Sequence, residues 1–187
     1  MKTKCAVGCG KRNYGEDWIH VDGEVLKFDH INHHDVYLKD IPENSLDVIY
    51  ACHLINYFTR EEFKGLLYWW WSRLKEGGVI RIATPDFRMM THLYQEGQIK
   101  LEDIIGPIHG LWTLNMGQIS HLTSYDYEEL TELLEGEGFG NVKKYDWRET
   151  DHANVDDHSQ SYLPKMDKEH GVLISLNIEC TKVASIS

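Results

Sequence analysis

The sequence predicts a single α/β domain built on a parallel sheet, and three observations predict it. A short apolar run, Lys4–Val7, breaks into Gly8-Cys9-Gly10, and a second, Trp18–Val21, ends in Asp22. Two further Ile/Val-bearing runs, Leu46–Ala51 and Val79–Ala83, flank a segment with helical start and stop signals. Short apolar runs bounded by turn residues suit strands covered on both faces, which is the setting of a parallel sheet. With 187 residues the chain can bury one good core and is too short for two ordinary domains, so substrate-binding elements are expected as insertions.

Taken in order, Lys4–Val7 runs into a loop where a ligand can approach the backbone, because two of its three residues lack a Cβ. From Gly10 to Trp18 the link is shorter than the roughly dozen residues of a helical crossover, so a loop or single turn is expected over 11–17. Asp22, at the end of the second run, can accept hydrogen bonds from both hydroxyls of a ribose. Residues 24–32 read as at most a short helix before a third strand around 33–36. Ile41–Ser45 is a turn by its Pro, Asn and Ser, and Leu46–Ala51 follows as a central strand. Thr59 with Glu62 forms a capping box; Phe63, Leu66, Leu67, Trp70 and Leu74 recur at helical spacing until Gly77-Gly78. Trp69, Trp70 and Trp71 cannot all face inward from consecutive positions, so at least one is expected towards a partner, a lid or water.

Val79–Ala83 leads into Thr84-Pro85-Asp86. Residues 87–122, with helical pieces at 88–94 and 101–106 and an irregular run carrying His109, Trp112 and His121, are expected to form a lid that excludes water. Thr123 with Asp126 caps a helix bearing Tyr127, Leu130, Leu133 and Leu134, which Gly136 and Gly138 stop. A strand over 141–146, a polar excursion over 147–171 at the pocket rim and a final strand over 172–183 complete the chain.

The net charge of −11 disfavours a protein that must neutralise phosphates, so nucleic acid is not the expected partner. No apolar run reaches the length of a membrane span and the start lacks a signal-peptide pattern, so no membrane contact and a cytoplasmic location are expected. Cys5, Cys9, Cys52 and Cys180 form no CxxC pair and read as reduced thiols. The clusters His30, His33, His34 and His152, Asp156, Asp157, His158 lack the regular spacing of a zinc site, so no metal is expected.

The segments KCAVGCG, WIHVD, HHDV, IPENSLDVIYACH, GGVIRIATPDF and HLTSYDYEELTELLEGEGF arrive in an order that resembles the class I S-adenosylmethionine-dependent methyltransferases, in the compact bacterial subgroup with a short first crossover. The resemblance covers nearly the whole chain. It implies a Rossmann-like sheet, mostly parallel with an antiparallel edge strand and shortened first crossovers, and S-adenosylmethionine as the cofactor. The cofactor contacts it implies are Ala6, Val7, Gly8, Cys9, Gly10, Asp22, Gly23, Asp35, Val36, Cys52 and His53, with Asp35 and Val36 at the adenine. Cys9 and Cys52 are then expected to line one pocket. His53, Asp86 and His121 are the acid–base candidates, with His109 beside them, for an acceptor that is a small molecule or sugar-like; a homodimer is a further expectation. Two rivals stay open. A nicotinamide-dependent oxidoreductase shares the glycine loop and ribose acid but needs a close helix to hold pyrophosphate, and a non-catalytic binding module could keep the same fold.

Overall fold

Six strands hydrogen-bond into one sheet in the computed structural model, which describes residues 2–23, 29–33, 35–114 and 117–183. In chain order the elements are β1 (Lys4–Val7), β2 (Trp18–Val21), β3 (Leu46–Cys52), α1 (Arg60–Arg73), β4 (Leu74–Pro85), α2 (Phe87–Gln95), α3 (Leu101–His109), β5 (Trp112–Leu114), β6 (Gly117–Ile119), α4 (Tyr127–Gly136), β7 (Phe139–Lys144), β8 (Tyr162–Leu163), β9 (Val172–Leu173) and β10 (Ser175–Lys182). The sheet order is β2-β1-β3-β4-β10-β7. The pairs of β1 with β2 and β3, and of β3 with β4, are parallel, whereas β10 runs antiparallel to both β4 and β7.

One face of the sheet is helical. Thr59 accepts a hydrogen bond from the Glu62 amide while the Glu62 carboxylate accepts one from the Thr59 amide at 2.8 Å, which satisfies two amides that the helix start leaves without partners. The stripe Phe63, Leu66, Leu67 and Trp70 is fully buried with Leu130 and Leu134 of α4 against Val7, Ile49 and Ile80 of the sheet. α1 stops at Arg73, short of the expected Gly77-Gly78. Leu74 is extended and buried and pairs with Leu46, so the strand begins where the side chain enters the core and a bulge absorbs the extra residues before Val79. Asp126, rather than Thr123, caps α4 by accepting from the Glu129 amide; the Thr123 hydroxyl donates to the Phe58 carbonyl.

Among the described residues the other face carries no α-helix. Residues 11–17 form turns and irregular chain, as their length requires, and the excursion over 147–171 packs where a crossover helix would lie. It does not hang over a rim: His152, Asp157, Ser159 and Gln160 are each at most 3 % exposed. Tyr14, Trp18, Val48 and Tyr50 form the apolar layer beneath it with Ala6 and Cys9.

Of the third strand expected around 33–36, the described residues show one parallel bridge, between Val21 and His33. His34 and most of the helix expected over 24–32 lie outside the described residues. The tryptophan run is spent within the chain. Trp70 donates to the Val36 carbonyl, Trp71 donates to the Gly138 carbonyl, and Trp69 meets the cations of Lys39 and Arg73. In the segment 87–122, Met90, Leu93, Ile99 and Ile104 bury α2 and α3 against Leu163 and Ile174. The β5–β6 hairpin stands clear of this core, and Trp112 is 57 % exposed. Among the described residues no helix is long and apolar enough to cross a membrane.

Candidate active site

The C-terminal ends of β1 to β4 bring Gly8–Gly10, Asp22, Cys52-His53 and Asp86 to one edge of the sheet. Gly8 and Gly10 both have positive φ, 69° and 57°, which residues with a Cβ rarely adopt. Their surroundings differ. A Cβ on Gly8 would lie 2.8 Å from Leu54 Cδ1, whereas one on Gly10 would meet nothing within 4 Å. Gly8→Ala is therefore expected to destabilise the protein by about 1 to 3 kcal/mol through left-handed strain and displacement of Leu54. Urea unfolding measures this, and an unchanged midpoint would show that the loop tolerates the methyl group.

The loop's amides turn inward. Gly8 and Cys9 donate to the Val21 carbonyl at 2.8 and 3.2 Å, and Gly10 donates to Asp22 Oδ2 at 2.7 Å. Cradling a pyrophosphate requires amides that point at the ligand, and a carboxylate beside them repels its charge. This loop therefore fits a ribosyl ligand without phosphates better than a dinucleotide.

Ala6 and Val7 are buried in β1 and paired on both sides, so they shape the site through their backbone. Gly23 lies against Val36, whose Cγ1 would be 3.4 Å from an added Cβ. The Asp35 carboxylate accepts from the Tyr37 and Lys39 amides and so holds its own turn, leaving Val36 as the residue of this pair that faces Gly23. Cys9 and Cys52 pack in the same cluster, as their strands' adjacency implies. Burial pushes the Cys9 thiol up to about 12 and raises Cys52 as well, so both are neutral thiols at pH 7.

The three acid–base candidates differ in their commitments. The Asp86 carboxylate caps α2, accepting from the Met89 amide at 3.0 Å. His121 Nδ1 lies 3.0 Å from the Pro107 carbonyl, and its ring covers Gly110 and meets Tyr57 edge-on at 4.7 Å, so it braces the end of α3. Tyr57 adds a bond to the Gly110 carbonyl, and Asn56 ties the same loop to Thr84 and Thr123. His109 and Trp112 are exposed. His53 has the strained backbone of a non-glycine residue at φ 49°, and its buried Nε2 has no hydrogen-bond partner among the described residues. Burial, then His158, His121 and Arg12, hold its pKa well below the ordinary imidazole range.

Arg12, Asp157 and His158 are neighbours of this site that sequence reasoning missed. Arg12 Nε donates to the Asp156 carbonyl at 3.2 Å, and the His158 ring lies 4.9 Å from that of His53. The run His152 to His158 did stand out as a His/Asp cluster, but more than a hundred residues of chain separate His53 from His158. Among the described residues no group of three His, Cys, Asp or Glu could hold a metal ion.

A sheet whose one antiparallel strand sits between β4 and the edge strand, with a glycine loop after β1 and an acid after β2, defines the fold of the class I S-adenosylmethionine-dependent methyltransferases. No protein-family model matches the chain, and no curated protein matches its sequence. Solved structures do share its fold. An S-adenosylmethionine-dependent methyltransferase from Archaeoglobus fulgidus is 18 % identical over 96 % of this chain and 85 % of that one, with a TM-score of 0.57. One from Thermotoga maritima is 14 % identical over 97 % and 83 %, at 0.57, and one from Methanosarcina mazei 14 % identical over 96 % and 92 %, at 0.55.

Proposed function

We propose that the protein transfers the methyl group of S-adenosylmethionine to a small-molecule or sugar-like acceptor. The observation that carries this reading is the inward-turned loop, whose Gly8, Cys9 and Gly10 amides are already bonded within the chain while Asp22 stands at the ribose end. S-adenosylmethionine supplies an electrophilic methyl group on a sulfonium, and as the acceptor's lone pair bonds to that carbon the C–S pair passes to sulfur, leaving a neutral thioether.

The chain's own work is positioning and, for a hydroxyl or protonated amine acceptor, taking up a proton. His53 Nε2 is the atom for that proton, being buried, unpartnered and neutral at pH 7. A carboxylate acceptor needs no such base. The choice of a small acceptor is supported by the net charge of −11, which disfavours a nucleic-acid backbone.

Melting temperature with added ligand tests the reading. At one hundred times its dissociation constant a ligand of the native state contributes about 2.7 kcal/mol, or roughly 5 to 10 °C for a chain of this size. S-adenosylmethionine and S-adenosylhomocysteine are expected to give such a rise and reduced nicotinamide dinucleotide none. The reverse pattern would make the protein an oxidoreductase, and no rise with any of them a module without a cofactor.

A further inference from the structure

We propose that His158 is a positioning residue of the transfer site, holding the His53 ring at the end of β3, so that the excursion over 147–171 belongs to the catalytic apparatus. The proposal rests on the reading of His53 as the acceptor-side base. Its first support is the way the excursion is fastened. Asp157 caps the 3-10 turn His158–Gln160, Oδ1 accepting from the Ser159 amide and hydroxyl at 2.9 and 2.6 Å. Oδ2 accepts from the Tyr50 hydroxyl at 2.7 Å and the Tyr14 hydroxyl at 3.0 Å. Tyr50 lies in β3 three residues before His53, and Asn177 of β10 donates to the Ser159 carbonyl at 2.9 Å. The turn is thus tied to two strands and to the loop after β1.

The second support is what the turn presents. The His158 ring lies 4.9 Å from that of His53, with the ring planes 31° apart, and the buried His53 Nε2 has no hydrogen-bond partner among the described residues. Three titratable or charged groups act on His53 from separate elements: His158, in ring contact with it, from the excursion, His121 from the segment after β6 and Arg12 from the loop after β1. Each opposes a positive charge on His53, in addition to the larger effect of burial. His158 is itself held low, by burial and then by Arg12, so the pair is neutral at pH 7 and a proton taken from an acceptor is confined to one ring at a time.

The test is nitrogen-15 resonance of the histidine rings across pH in the full chain, for wild type, His158→Phe and Tyr50→Phe. His158→Phe keeps an aromatic ring beside His53 and removes its charge. It is expected to raise the His53 midpoint by about half a pH unit or more. Tyr50→Phe removes one donor to Asp157 and is expected to shift the midpoint in the same direction by loosening the turn. In a second arm, methyl transfer from radiolabelled S-adenosylmethionine to a small-metabolite extract is expected to fall roughly 10-fold in His158→Phe, with donor affinity unchanged and the acid limb moved to higher pH. A His53 midpoint unmoved in both variants overturns the proposal, because a purely structural turn would leave it where it was. Failure of the wild type to bind S-adenosylmethionine overturns the transfer reading and with it the catalytic meaning of the pair, even where the midpoint moves.

Discussion

Replacing Asp22 with alanine is expected to weaken S-adenosylmethionine binding by roughly 10- to 150-fold, the equivalent of about 1.5 to 3 kcal/mol for hydrogen bonds to a charged group. Two effects combine in that loss. The ribose hydroxyls lose their charged acceptor at the end of β2, and the Gly10 amide loses the carboxylate that holds it at 2.7 Å, so the cofactor loop loses its brace as well. Asp22→Asn separates them. Its side-chain oxygen can still accept from Gly10 while the charge is gone, and an intermediate affinity is expected. Titration calorimetry with S-adenosylhomocysteine reads both variants, and unchanged affinity in each would remove Asp22 from the site.

The largest expected effect on stability is at Asp157. This carboxylate is 3 % exposed and accepts from Tyr14, Tyr50 and both donors of Ser159. Burial raises the pKa of both tyrosines, so their hydroxyls remain protonated donors. Asp157→Ala strands those donors in a region water does not reach, at a cost of about 3 to 5 kcal/mol and a fall in melting temperature of roughly 10 °C. Asp156 is the control. Its side chain is 83 % exposed and its partner is Lys168, an ion pair of the kind that contributes less than about 1 kcal/mol. Calorimetric melting of the two alanine variants would measure the difference. Equal small shifts would show that the excursion is held by its apolar contacts and not by this carboxylate.

Much of the scaffold was legible because it is written locally. The four parallel strands show as short apolar runs, the start of α1 as the Thr59/Glu62 box, and the glycine loop as a break no other residue type would make. The placing of Gly8–Gly10, Asp22 and His53 after β1, β2 and β3 was legible for the same reason, since parallel strands all end on one edge. Length alone announced that no helix would fit between β1 and β2. The junction of α1 with β4 was not legible, because helical spacing and strand alternation both accept Leu74 as apolar, and only its pairing with Leu46 decides. Nor was the fate of the tryptophans. Periodicity marks a residue as buried without naming the carbonyl or cation that buries it.

By itself, then, the sequence determined the class of the fold and the strand ends at which Gly8–Gly10, Asp22 and His53 stand. Only the tertiary structure decided what covers the second face of the sheet and what stands beside His53. The Asp157 carboxylate and the Tyr50 hydroxyl are 107 residues apart and 2.7 Å from each other. Such a contact leaves no local signature: a polar run with scattered histidines is equally at home in solvent. The bare face left by the short crossover, and the Tyr14 and Tyr50 hydroxyls waiting there, make it fold inward.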